Sequence, residues 1–243
     1  MSGSDRVNIK EWSKKELNSN FSFYLVLCIC ALLAYFLTNG IAQWPNLHNT
    51  DINEVSTSFM SGWLGSSFLI GLIASLLQSS AMFAMIDIQR DNAEHKNAMQ
   101  RAFSIFDNGQ YFIGWIIITI ITTVLTFLWS LLLFIPGIVK SFSYSQALLI
   151  YRDSVKAGHL MGYMEAITES RKRMDGKKGF LFIFDLSFLG WFILTGFTAG
   201  ILGIWVYPYY WIATIKFYTD YIATDEKQPF EDESEGPKHF DSN

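Results

Sequence analysis

Tyr151 to Lys178 reads YRDSVKAGHLMGYMEAITESRKRMDGKK, and the side of a membrane on which it sits decides the fold. Seven of its residues are basic: Arg152, Lys156, Arg171, Lys172, Arg173, Lys177 and Lys178. Working towards the N-terminus, the connection around Pro136-Gly137 is bare of charge, and the next one back carries Arg90, Lys96 and Arg101. Asn39 to Gly62 holds no Lys or Arg, only Asp51 and Glu54, and Arg6, Lys10, Lys14 and Lys15 precede the first apolar run. Towards the C-terminus, Gly196 to Gly200 is bare again. Basic loops stay in the cytoplasm when a polytopic membrane protein inserts, so this alternation sets an orientation as well as a class.

The composition agrees. Of 243 residues, 51% are hydrophobic and only 16% charged, where a soluble domain carries about 25% charged. The net charge of -4 hides a division: the inner segments are basic, whereas Asp225, Glu226, Glu231, Asp232, Glu233, Glu235 and Asp241 make the C-terminal tail acidic. The basic residues flank apolar runs and form no basic domain of their own, which argues against nucleic-acid binding. They suit anionic lipid headgroups instead.

A helix needs about 20 residues to cross the hydrocarbon core. The uncharged runs give six spans, about 21–38, 61–86, 111–135, 138–151, 179–198 and 201–221. The expected fold is all-α: six transmembrane helices with both termini in the cytoplasm, an amphipathic helix in 1–20, a membrane domain over 21–222 and an acidic, disordered tail over 223–243. The first apolar run starts near Phe21 and has no small-x-small cleavage site after it, so it is expected to stay as a span.

The third span is read as ending at the reversal Pro136-Gly137. The fourth has about fourteen residues with Lys140 inside and is a short crossing, a tilted neighbour in a bundle or a re-entrant segment; the charge alternation favours a crossing. The connection Thr195 to Gly200 is so short that spans five and six form an antiparallel hairpin, and Pro208 is expected to kink the sixth. Trp44, Trp63, Tyr111, Trp115, Tyr151, Tyr218 and Tyr221 fall at span ends, where amphipathic rings prefer the headgroup zone. Trp205 to Trp211 reads as an interior aromatic wall or an outer-leaflet belt.

Val7 to Leu17 (Val7, Ile9, Trp12 and Leu17 among charges) and Met161 to Met174 read as helices on the inner membrane surface, the alternative being ordinary solvated juxtamembrane helices. In the second, Glu169 and Arg173 form a favourable i, i+4 pair and Gly176 a stop. Cys28 and Cys30, at i and i+2, point to different sides of a helix, so no disulfide joins them.

Three strings now located are similar to the signature blocks of one family: WSLLLFIPGIVKSFSYSQA (129–147), EAITESRKRMDGKKGFLF (165–182) and LSFLGWFILTGFTAGILGIWVYPY (186–209). The start VNIKEWSKKELNSNF (7–21) resembles the same family's amphipathic N-terminal block. The family is a bacterial integral-membrane one, the nine-seventy-five domain of unknown function. The resemblance implies a multi-pass protein of a bacterial, Gram-positive plasma membrane with no assigned reaction. In layout the family is similar to the membrane modules of glycerophosphodiester phosphodiesterases. Asp185 and Lys216 depart from the family's pattern.

Ionisable groups at hydrocarbon depth are costly and serve as functional candidates. Asp185 and Lys216 lie at equal depth in the expected hairpin, so an Asp185–Lys216 ion pair is one reading; separate snorkelling of each side chain is the other. Lys140 lies one turn past Pro136-Gly137 with Tyr144 at i+4 and Ser141, Ser143 and Ser145 around it. Lys140, Tyr144 and Ser145 could present a cation and hydroxyls to a lipid phosphate or a peptide carboxylate; the alternative is that the hydroxyls bond the backbone.

No H-E-x-x-H, no paired Cys ligands, no phosphate-binding glycine loop and no activated serine occurs, so no catalytic residue, metal or cofactor is assigned. The leading expectation is a non-enzymatic envelope protein that binds or moves lipid or a hydrophobic peptide, with tolerance of membrane-active peptides inside that class. A scaffold recruiting a membrane-protein or soluble partner through the basic inner loops and acidic tail is the second, and an intramembrane lipid-modifying enzyme the third.

Overall fold

The computed structural model describes residues 3–47, 57–91, 94–158 and 160–223, with side chains described except at 39–47, 57–67, 91 and 134. The outer-loop readings around Asp51 and Glu54, the rings Trp44 and Trp63, and the acidic tail lie outside the described residues or side chains. Every regular element among the described residues is a helix. The α-helices, in order, are α1 (Gly3–Ser19), α2 (Phe21–Leu47), α3 (Thr57–Asp91), α4 (Ala98–Arg101), α5 (Gly109–Leu132), α6 (Phe134–Tyr144), α7 (Ala147–Lys156), α8 (Tyr163–Arg173), α9 (Lys178–Leu186), α10 (Leu189–Phe197) and α11 (Gly203–Tyr221), with one 3-10 turn at Ser104–Phe106 between α4 and α5.

Four stretches are long and apolar enough to cross a membrane: Phe21–Thr38, Phe68–Arg90, Gly109–Leu132 and Lys178–Phe197. They correspond to the first, second, third and fifth expected spans. The fourth and sixth differ for physical reasons. Residues 134–156 are two short helices, α6 and α7, interrupted at Ser145-Gln146. α11 carries Lys216 and Asp220 in its last turns.

The break after the third span lies earlier than Pro136-Gly137. Leu133 is extended (φ -158°, ψ 131°), and Pro136 is the third residue of α6. A proline ring collides with the carbonyl four residues back, here that of Leu132, while its missing N–H costs nothing in the first turn of a helix. The reversal therefore falls just before the proline, and α6 begins with it inside. α5 and α6 then approach closely: a Cβ on Gly137 would stand 2.8 Å from Ser130 Cα.

Span five is interrupted at Ser187-Phe188, near its centre. The hairpin from α10 to α11 is formed as expected, by a helix stop with both of its bonds: Gly200 N–H donates to Thr195 O at 2.9 Å and Ala199 N–H to Gly196 O at 3.2 Å. Ala199 and Gly200 are both left-handed (φ 51° and 87°), and a Cβ on Gly200 would come within 2.6 Å of the Phe36 ring. Ala199 is exposed, so its methyl group has little packing to lose. Ala199→Gly is expected to raise stability by up to ~1 kcal/mol, the left-handed penalty less glycine's extra unfolded-state entropy. A melt in detergent reads this, and a lower Tm would contradict it. α11 stays helical through Pro208.

The N-terminal helix is a packed element, not a free surface one. It buries Ile9, Ser13 and Leu17, one face at i, i+4 and i+8, and leaves Val7 and Trp12 outside. It crosses α11 in the opposite sense, with Lys216 Nζ 4.8 Å from the Trp12 ring centroid and Trp205 Nε1 donating to Asn18 Oδ1 at 3.1 Å. Lys10 Nζ reaches the break between α9 and α10, donating to Ser187 O at 3.2 Å and Ser187 Oγ at 3.3 Å. Burial and nearby Arg6 hold the Lys10 ammonium below its ordinary pKa. At the other end Glu16 Oε1 lies 2.8 Å from His95 Nε2 and accepts from Tyr24 Oη at 3.0 Å.

The second amphipathic segment is α8. Its expected Glu169–Arg173 pair forms at 2.9 Å, and Gly176 is left-handed (φ 71°). Met164 is exposed while Ala166, Ile167 and Ser170 are buried, so this helix also packs inward. The expected aromatic belt is partly core: Trp115, Tyr151 and Tyr218 are buried, and Trp115 Nε1 donates to Ser79 Oγ at 3.1 Å. The wall at Trp205 to Trp211 is interior, with Tyr209 and Trp211 buried and the rings of Tyr209, Trp205 and Tyr207 packed at tilted angles against Phe188, Trp191 and Phe192. Both cysteines are free.

Candidate functional site

Two features stand out, a groove between α5 and α6 and a buried ionic cluster that fixes the helices behind it. The groove has a volume of about 480 Å³ and is lined by Ile118, Thr119, Thr122, Thr123, Thr126, Phe127 and Ser130 of α5, and by Ser141, Tyr144, Ser145 and Leu148 of the following helices. Eight of these eleven side chains carry a hydroxyl. Thr122, Thr126 and Ser130 stand at four-residue steps on α5, and Ser141 and Ser145 at the same step opposite, so the hydroxyls form two facing rows. α5 is also the least covered of the four spans, with 17% of its window buried.

Hydrogen bonding decides what the rows present. Thr122 Oγ1 donates to Ile118 O at 2.7 Å, Ser130 Oγ to Thr126 O at 2.8 Å, Ser141 Oγ to Ile138 O at 2.7 Å and Ser145 Oγ to Phe142 O at 2.9 Å. Their protons are thus engaged by their own helices, while the oxygens keep acceptor capacity; that of Ser145 already accepts from Gln146 Nε2 at 2.9 Å. Thr119, Thr123, Thr126 and Tyr144 make no side-chain hydrogen bond among the described residues, so these hydroxyls can still donate. Tyr144 is buried in the groove floor, packed with Ile118, Ala147, Tyr151, Ala166 and Ile167. At the Ser130–Ser141 end, Lys140 Nζ lies 4.6 Å from the centroid of the Trp129 ring. The lining therefore combines apolar body, scattered hydroxyls and one cation at an end.

Of the residues singled out from sequence, Tyr144 and Ser145 thus stand together in one wall, with Lys140 at its end. The serines do bond the backbone, but that leaves them in the lining. Asp185 and Lys216 are not brought together. Asp185 Oδ1 accepts from Tyr210 Oη at 3.1 Å, whereas Lys216 Nζ pairs with Asp220 Oδ1 at 2.7 Å and covers Trp12. The i+4 carboxylate is reachable within one helix, and the α9–α10 break re-aims the segment that holds Asp185. Restoring function by exchanging the two charges is accordingly not expected.

The ionic cluster went unread in the sequence. Asp153 accepts from Arg90 Nη1 at 2.6 Å, Arg152 Nη1 at 2.9 Å and Tyr218 Oη at 2.6 Å. Arg152 Nη2 reaches Asp87 Oδ1 at 2.6 Å, and Lys156 pairs with the same oxygen. Side chains of Arg152 and Asp153 are 4% and 1% exposed, against 43% for Lys156. The cluster joins α3, α7 and α11. Its only local signal was Arg152-Asp153 beside the apolar run 147–151, and Asp87 and Arg90 one turn apart at the end of another. No group of three metal-ligating side chains forms among the described residues.

Residues 131–224 match the model of the family described as "Protein of unknown function (DUF975)". Residues 131–224 are thus similar to that family. The DUF975 segment includes the three strings at 129–147, 165–182 and 186–209 except for Trp129 and Ser130; the N-terminal string at 7–21 lies outside it. It contributes α6 to α11, hence Lys140, Tyr144, Ser145, Arg152, Asp153 and Tyr218. The threonine wall on α5, with Asp87 and Arg90 on α3, precedes it. Both the groove and the cluster are therefore built where the DUF975 segment meets the helices before it. No curated protein and no solved structure matches the chain.

Proposed function

We propose that this chain is a multi-pass protein of the bacterial plasma membrane that holds an amphiphile, a lipid or a hydrophobic peptide, in the α5–α6 groove, with no chemical step of its own. The observation that carries this reading is the groove's lining. Hydroxyls with engaged protons are cheap to keep beside hydrocarbon, and a few free donors with a cation at one end suit an ester, amide or phosphate on an otherwise apolar molecule. Binding of this kind serves lipid or peptide traffic, including the sequestering of membrane-active peptides.

Six crossings with both termini inside remain the reading of the topology. Supporting it, α6 and α7 carry the chain back from Leu132 to Arg152, which pairs with Asp87 near the end of α3. The α10–α11 turn reverses the chain once more, and the basic residues alternate between connections. Single cysteines in place of Arg171 and Ile201 test it. In intact cells a membrane-impermeant maleimide is expected to label position 201 and not 171. Labelling at 171 from outside would overturn the topology.

For the ligand, native mass spectrometry of the purified protein is expected to show a retained amphiphile. Thr122→Leu with Thr126→Leu fills the groove with side chains that suit the same apolar surroundings. This pair is expected to cut the retained fraction at least tenfold while the protein keeps its Tm within a few degrees. Equal retention in both proteins would remove the groove from consideration.

A further inference from the structure

The chain's exit and a basic surface patch meet at one corner. A helix leaves its last carbonyls without partners. In α11 two cations from α8 and the turn after it take them: Lys177 Nζ donates to Tyr221 O at 2.6 Å, and Arg173 Nη1 to Ile222 O at 3.2 Å. Ile222 and Ala223 are buried, so the chain leaves the bundle against these two side chains. One helical turn away Arg171 and Lys172 are exposed. Between Glu169 and Lys178 five cations face two carboxylates, a net +3. Glu169 is already engaged by Arg173 and Lys172, and Asp175 by Lys178. Arg171 has no ion-pair partner among the described residues.

Past the exit the charge changes sign. Residues 224–243 hold seven acidic residues against Lys227 and Lys238, a net -5. Asp225 and Glu226 come two and three residues after Ala223, and extended chain advances about 3.3 Å per residue, so they stay within roughly 10 Å of the exit whatever course the tail takes. Glu231 to Glu235 can reach any part of the corner. Tethering on so short a linker gives an effective concentration in the mM range, enough for weak pairs to be occupied.

We propose that the acidic tail is the intramolecular partner of the corner made by Arg171, Lys172, Arg173, Lys177 and Lys178, folding back over the end of α11. The tail shields these cations from anionic headgroups and from other proteins. This assignment does not depend on the groove.

Zero-length carbodiimide cross-linking joins a carboxylate only to an amine in contact with it. The full chain, mixed from light and heavy isotope preparations, is placed in phosphatidylcholine nanodiscs at low salt. Expected products join tail carboxylates to Lys172, Lys177 or Lys178 within one isotope. Their yield should fall severalfold at about 1 M salt, where the Debye length is about 3 Å. It should fall similarly at Lys178 in the surface variant Arg171→Glu/Lys172→Glu. Absence of such products at low salt would overturn the proposal. Products of mixed isotope alone would also overturn it, by assigning the corner to a second copy.

Discussion

Asp153→Ala is expected to lower the unfolding free energy by about 3–5 kcal/mol, the range for removing one partner of a buried ion pair. Three donors, from Arg90, Arg152 and Tyr218, converge on this carboxylate. Without it Arg152 keeps only Asp87, in a site where the guanidinium has almost no water. Tyr218→Phe removes one hydrogen bond to the same charged group and should cost about 1.5–3 kcal/mol. Lys156→Met, on the exposed rim, should stay within about 1 kcal/mol. The order of the three is the test, read by chemical denaturation in detergent. If Asp153→Ala costs no more than Lys156→Met, the cluster does not hold α3, α7 and α11 together.

Gly137→Ala is the second large effect. The added Cβ meets Ser130 at its Cα, so no side-chain rotation relieves the contact. α5 and α6 must separate, at a cost of about 1–3 kcal/mol for overpacking a tight site. Separation also widens the groove at the Ser130–Ser141 end, beside Lys140. The variant is therefore expected to lose Tm and retained amphiphile together, by melt and native mass spectrometry. The leucine pair in the threonine row should instead lose the amphiphile and keep Tm. Gly137→Ala with normal retention would show that the groove's width does not depend on this approach.

The range of each interaction determined how legible it was. The Glu169–Arg173 pair, the stop at Gly176 and the hairpin at Thr195 to Gly200 are local, and the sequence read them correctly. The break at Leu133 was missed by a few residues, because a proline acts on the carbonyl four positions back. Tyr144 and Ser145 could be picked out beside Lys140, but the opposing threonines of α5 resemble the ordinary small residues of any membrane helix. The cluster at Asp153 was hidden, since Arg90 and Tyr218 lie 63 and 65 residues away from it. The Asp185–Lys216 pairing assumed an unbroken fifth span, and the interruption at Ser187-Phe188 removed its premise.

The docking of α1 has a consequence for how the protein is made. Lys10 and Ser187 are 177 residues apart, and Asn18 and Trp205 are 187 apart. α1 leaves the ribosome long before Ser187 and Trp205 and must therefore wait for them before it finds its seat. During synthesis the α11-facing side of α1 stays uncovered until that helix has been made. Assembly should accordingly finish with a late closing step that joins the two ends of the chain, and a bulky fusion ahead of Gly3 should slow that step more than it weakens the finished bundle.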